Sequence, residues 1–169
     1  MKLKLWELVL MPLLGALMFA SKLMMEFLPN MHLIGMFIVL FTVVFRVKAL
    51  IAIYTFVFLS GIYGGFGLWW MPYLYIWTVL WAIVMILPKN MPKSVAMPAY
   101  MTVCGLHGFL YGILYAPFQA LAFGLDFNGM VAWVAAGLPF DVIHGISNII
   151  AAILVVPLAT SLKKAISKY

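Results

Sequence analysis

The sequence predicts an all-α integral membrane protein of six transmembrane helices, with both termini on the cytoplasmic side. Three observations predict it. Of 169 residues, 67% are hydrophobic and 8% charged, with a mean hydropathy of +1.18, whereas soluble domains are roughly 45–50% apolar and about 25% charged. A soluble fold cannot hide that much apolar surface. The apolar residues run in stretches of helical length without period-2 alternation, which excludes a β-barrel. Nine of the ten Lys and Arg residues fall on one side of the resulting zigzag, the side that the positive-inside rule makes cytoplasmic.

A bilayer core of about 30 Å needs roughly 20 helical residues. On that measure helices are expected near 5–27, 31–45, 48–64, 70–87, 96–122 and 132–162, as one domain over 1–169. The first begins with a basic flank, but its apolar run is too long for a signal core and lacks a small-residue cleavage site, so it reads as a retained helix. The second is short and must lean on neighbours or be partly re-entrant. Breaks fall at Phe27–Asn30, Arg46–Lys48, Gly64–Gly67, Pro88–Lys93 and Gly124–Gly129, each supplying Pro, Gly, Asn or charge where a helix should stop.

Lys2, Lys4, Arg46, Lys48, Lys89, Lys93, Lys163, Lys164 and Lys168 all sit at segment ends on one side. The net charge of +6 is therefore a topology signal and not a nucleic-acid footprint, which needs a clustered basic face. Lys22 alone breaks the pattern. It lies one turn from Glu26, either snorkelling or paired at i,i+4, or placed at the mouth of a ligand cavity. Cys104, the single cysteine, sits in an apolar stretch and reads as a small core residue.

Polar side chains inside a membrane are costly and face a partner, a cavity or the bundle interior. Asp141, His144 and Asn148 share one face of the sixth helix at i, i+3 and i+7, and His107, Tyr111 and Tyr115 share one face of the fifth. Trp70, Tyr73 and Trp77 form a stripe on the fourth, and Asn30 and His32 border the same region. These eleven residues are the candidate substrate-binding set. The competing reading makes the stripes interhelical hydrogen bonds that hold the bundle together. Trp69 and Tyr75 are assigned to an interfacial aromatic belt. The histidines lack the spacing of a zinc site or a haem pair, so neither metal nor cofactor is expected.

An aromatic, charge-poor pocket suits a large, mostly apolar molecule with amide or hydroxyl edges. There is no GxxxxGK[ST] phosphate loop, no HExxH, no GxSxG and no paired carboxylates on one helix, so an enzyme is not expected. No inverted repeat relates the two halves, and the chain is small for a transporter that works alone.

Six helices in under 200 residues, a basic C-terminus and the run Gly15-Ala16-Leu17-Met18-Phe19-Ala20 resemble the substrate-binding S-components of energy-coupling factor (ECF) vitamin transporters of the prokaryotic plasma membrane. Ala16 and Ala20 match that family's AxxxA motif, where small residues four apart let helix backbones approach. The resemblance implies that the chain captures a vitamin from outside under a roof of the loops 27–31, 64–69 and 124–129. It further implies docking on a transmembrane coupling subunit (EcfT) through Ala16 and Ala20, with two ATPase subunits (EcfA-type) supplying the power. The stretches His32 to Arg46, Trp69 to Tyr73 and Leu138 to Asp141 look most like the cobalamin group. The alternatives are an S-component for a smaller vitamin of the pyridoxine, hydroxymethylpyrimidine or thiamine type, and a structural membrane bundle without ligand.

Overall fold

The structure, a computed structural model, describes residues 3–168; Lys2, counted above among the cytoplasmic cations, lies outside them. The helices are α1 (Leu5–Met24), α2 (Ile34–Phe45), α3 (Ala49–Gly64), α4 (Tyr73–Ile86), α5 (Lys93–Phe109), α6 (Tyr111–Phe123), α7 (Phe127–Ala152) and α8 (Val155–Ile166). Single 3₁₀ turns occupy Arg46–Lys48 and Leu68–Trp70, and no strand occurs among the described residues. Five stretches are long and apolar enough to cross a membrane: Leu5–Met24, Ile34–Gly64, Leu68–Ile86, Lys93–Phe123 and Phe127–Ala152.

The stretch Ile34–Gly64 makes two passes. Arg46 adopts φ 55°, uncommon for a residue other than glycine, at the turn between the two passes. The contacts fix the direction of each pass. Glu7 pairs with Lys48 and Phe19 with Tyr63, so α1 and α3 run parallel, with α2 returning between them. Tyr54 bonds Thr78 and Arg46 bonds the Met85 carbonyl, so α4 runs against α3. Asp141 reaches Gly112 and Asn148 reaches Cys104, so α7 runs against α5 and α6. The chain therefore crosses the bundle six times.

α2 is its axis. Ten of its twelve residues are buried, and it touches α1, α3, α4, α5, α7 and α8. A helix apolar on every side has no face for water and belongs inside; being short, it leans on its neighbours along its whole length. Glycine stands at two places where one helix meets the backbone of another. A Cβ on Gly15 of α1 would meet the Ala52 carbonyl oxygen at 2.5 Å, and one on Gly108 of α5 would meet the Gly145 Cα at 2.7 Å. Only glycine permits that approach, the small-residue packing used where lipid provides no hydrophobic drive between helices.

Two expected helices come out differently. The segment expected as one helix over 96–122 breaks at Leu110, and the break has a partner: the Gly112 N–H donates to the Asp141 carboxylate at 3.0 Å. A backbone donor freed inside an apolar bundle must be satisfied, and Asp141 does so from α7. The segment expected from 132 begins at Phe127. Gly124 (φ 64°) ends α6 in the left-handed conformation, and the Asp126 carboxylate accepts the Gly129 N–H at 2.7 Å, a helix cap that draws α7 back by a turn. That helix also ends early, with a turn at Ile153–Leu154 before α8.

Candidate functional site

At the end of the bundle opposite the lysine-rich turns lies a cavity of about 280 Å³. Its cover is the connection between α1 and α2, contributing Met25, Glu26, Leu28, Pro29, Asn30 and Met31, while Tyr73 of α4, Tyr111 of α6 and His144 of α7 close it from within. Lys22 and His32 complete the wall. Asn30 takes φ 57°, a conformation that asparagine tolerates better than other side chains, and this bends the cover back over the cavity.

Beneath the cover the aromatic rings form one continuous cluster. His32 stacks edge-on to His144, with ring centroids 4.6 Å apart, and to Trp77 at 6.2 Å. Tyr111 sits 5.0 Å from His144, 5.7 Å from Trp77 and 6.2 Å from Tyr115. Trp77 touches His107 at 5.8 Å and Tyr73 at 5.4 Å. Four of these pairs are edge-to-face, an arrangement aromatic rings prefer.

Several polar atoms in this cluster have no partner. The Trp77 Nε1, His107 Nδ1 and His144 Nε2 atoms are buried without one among the described residues. His107 meets the Ile76 carbonyl through Nε2 at 3.1 Å, so Nε2 carries the proton and Nδ1 is left as an acceptor. Most buried side-chain polar atoms are hydrogen-bonded; of these three exceptions only His144 reaches the cavity wall.

Burial holds His32 well below the usual histidine range, at about 4, and the neighbouring Lys22 pushes in the same direction. The Ile34 amide donates to His32 Nδ1 at 3.4 Å, which leaves the proton on Nε2. His32 is thus a neutral donor at physiological pH.

The eleven residues singled out in the sequence divide into three groups. Asn30, His32, Tyr73, Tyr111 and His144 line the cavity. Trp77, His107 and Tyr115 belong to the ring cluster behind it, Tyr115 also donating to the Trp69 carbonyl at 3.0 Å. Trp70, Asp141 and Asn148 lie off the cavity and are engaged elsewhere. Trp70 donates to the Val57 carbonyl at 2.8 Å, Asp141 braces Gly112, and Asn148, fully buried, donates to the Cys104 carbonyl at 3.2 Å. For these three the interhelical reading of the stripes is the one the geometry supports.

Other expectations shift as well. Asn30 and His32 stand in the connection before α2 and not on the helix. Tyr75, assigned to an interfacial belt, turns inward and donates to the Leu114 carbonyl at 2.7 Å. Lys22 forms no ion pair with Glu26 among the described residues, and Glu26 instead accepts from Tyr63 at 3.4 Å. Of the three loops expected to roof the cavity only 27–31 does so; 64–69 packs against α3 and 124–129 is a tight turn. Glu7 was not singled out, yet it is buried and its carboxylate accepts from Lys48 at 2.7 Å and from the Lys4 amide at 2.9 Å. Its signal was available: it is the one acid at the basic end.

Ala16 is half-buried and Ala20 exposed, both near Gly15, which is spent on α3. Among the described residues no three metal-ligating side chains converge. The chain matches no family model, no curated protein and no solved structure.

Proposed function

We propose that the chain is the membrane-embedded binding subunit of an ECF-type importer, taking a small heteroaromatic vitamin of the pyridoxine, hydroxymethylpyrimidine or thiamine type. The observation that carries this reading is the cavity of about 280 Å³ walled by His32, Tyr73, Tyr111 and His144. Ligand sites run from roughly 300 to 1,000 Å³ for drug-sized molecules, so this one suits a single ring with short substituents. A corrinoid exceeds that scale, and the volume therefore favours the smaller vitamins over cobalamin.

The wall has the chemistry for such a ring. Tyr73 and Tyr111 offer faces and hydroxyls, His32 Nε2–H offers a donor, and the unpartnered His144 nitrogen completes a bond with a ring nitrogen or hydroxyl. Lys22 and Glu26 place one charge of each sign at the rim, which admits a neutral or zwitterionic molecule without favouring an anion. The connection over 25–32 borders the cavity, the position a lid takes in sites that close over a ligand.

Delivery requires partners. In this reading α1 docks on a transmembrane coupling subunit through Ala16 and Ala20, and two ATPase subunits supply the energy. Calorimetry on the purified protein with pyridoxine, thiamine and cyanocobalamin tests the ligand: saturable heat with one of the small vitamins is expected. Saturable binding of cyanocobalamin alone would return the assignment to the corrinoid group. Uptake that survives Ala16→Trp combined with Ala20→Trp would remove the importer reading, since bulk at those positions blocks close helix packing.

A further inference from the structure

At the opposite, lysine-rich end two clefts adjoin, sharing Val43, Lys89 and Tyr100. The larger, about 170 Å³, also gathers Lys93 at the start of α5 and Lys163 on α8 over a floor that includes Ala96, Val156 and Ala159. The smaller, about 10 Å³, adds Arg46 beside it and has room for no more than a water-sized group. Three lysines and an arginine thus converge from three separate parts of the chain, and no carboxylate among the described residues lines either cleft.

Two polar groups there lack a protein partner. Tyr100 is 6% exposed and its side chain lines both clefts, yet its hydroxyl has no hydrogen-bond partner among the described residues. The Arg46 Nε is buried without an acceptor, although the same guanidinium donates from its Nη2 to the Met85 carbonyl at 2.7 Å. The basic end does have a carboxylate, but Glu7 is held by Lys48. The first backbone amides of α5 open at the same place, since the cap residue Pro92 supplies no side-chain acceptor, and a helix N-terminus favours an anion. Unpaired cations beside a free hydroxyl donor attract an acceptor-rich anion.

We propose that this double cleft binds the phosphodiester headgroup of an anionic membrane phospholipid. Lys89, Lys93 and Lys163 hold the phosphate over the larger cleft, and the Tyr100 hydroxyl donates to it from the floor. The choice of a lipid over a free phosphate rests on the floor: Val43, Met91, Ala96, Val156 and Ala159 are apolar and continue into helices whose outer faces carry exposed Val95 and Leu158, the path of an acyl chain. Basic pockets between helices on one membrane side recognise anionic headgroups in this way.

Native mass spectrometry of the purified protein, titrated with phosphatidylglycerol or phosphatidylcholine, tests the proposal. Selective retention of phosphatidylglycerol is expected. The combined variant Lys89→Gln, Lys93→Gln, Lys163→Gln, all exposed and so free of folding risk, is expected to weaken it by roughly a hundredfold, and Tyr100→Phe, which keeps the ring, by several-fold. Lys164→Gln with Lys168→Gln, at the same end but outside the clefts, should leave it unchanged. Equal loss in that control would reduce the effect to general surface charge and overturn the site. Equal retention of the two lipids would overturn it too. Glycerol 1-phosphate or inorganic phosphate displacing the lipid at similar concentration would mark a soluble-phosphate site instead, and binding of none of these would leave the cations to an acidic protein surface.

Discussion

A carboxylate on the buried face of an apolar helix can meet a ligand or brace a backbone, and Asp141 braces. Its role predicts a separation of effects. Asp141→Ala should lower thermal stability by about 1.5–3 kcal/mol, the scale of a hydrogen bond to a charged group, while leaving the affinity of the folded protein for the proposed ligand unchanged. His144→Ala should do the reverse, weakening binding by about 1–2 kcal/mol with little change in melting temperature. Thermal melts and calorimetry on the two variants check both. His32 adds a pH dependence. Its folded-state pKa of about 4 lies below the ordinary 6.5, so on acidification the unfolded chain takes up the proton first. The stabilisation from its neutral ring is complete above pH 6.5 and is lost as pH falls from about 6.5 toward 4. Melting temperature measured across that window should fall more steeply for the native protein than for His32→Gln. The sequence made His144 and Asp141 equivalent, two polar residues one turn apart on one face. What divides them is the break at Leu110, which no proline or glycine at that position announced.

At the scale of elements, the spacing of apolar stretches located every pass through the bundle, and Pro, Gly and Asn located most of the turns. The ends were harder. Gly124 and Asp126 were read as loop, although an αL glycine followed by an Asp cap is a compact joint between two helices. The glycines inside helices carried the most information that periodicity could not use. Gly108→Ala should drive a methyl into the Gly145 backbone and cost about 1–3 kcal/mol, the usual scale of overpacking. Gly137→Ala on the same bundle, where a Cβ meets nothing within 4 Å, should be neutral or stabilising. Comparing the two melting temperatures tests whether the α5–α7 seam is set by backbone contact.

At the scale of the molecule, the asymmetry of charge is realised in space. Arg46, Lys48, Lys89, Lys93 and Lys163 share one end, and Lys22 with the candidate cavity lies at the other. A cysteine placed at Asn128 should react in intact cells with an impermeant thiol reagent, and Lys164→Cys should not. The native Cys104 is fully buried and gives no background. The opposite labelling would put the cavity on the cytoplasmic side and exclude capture from outside. The one-sided lysines were legible from the chain alone because charge at helix ends is a local property; the cavity wall was not, since it joins residues from positions 22 to 144 that only packing brings together.

The buried axis has a consequence for how the protein is made. α2 has 12 residues, about 18 Å of helix at 1.5 Å per residue, against a hydrocarbon layer of about 30 Å. It is too short to hold a place in the bilayer by itself. If the bundle sits in a bilayer, α2 would enter it together with α3, as a hairpin turned at Arg46, and would stay unenclosed until α7 and α8 pack against it. Chains arrested after about residue 60 should therefore integrate the hairpin far less firmly than chains carried through α8, and alkaline extraction of such arrested chains would measure the difference.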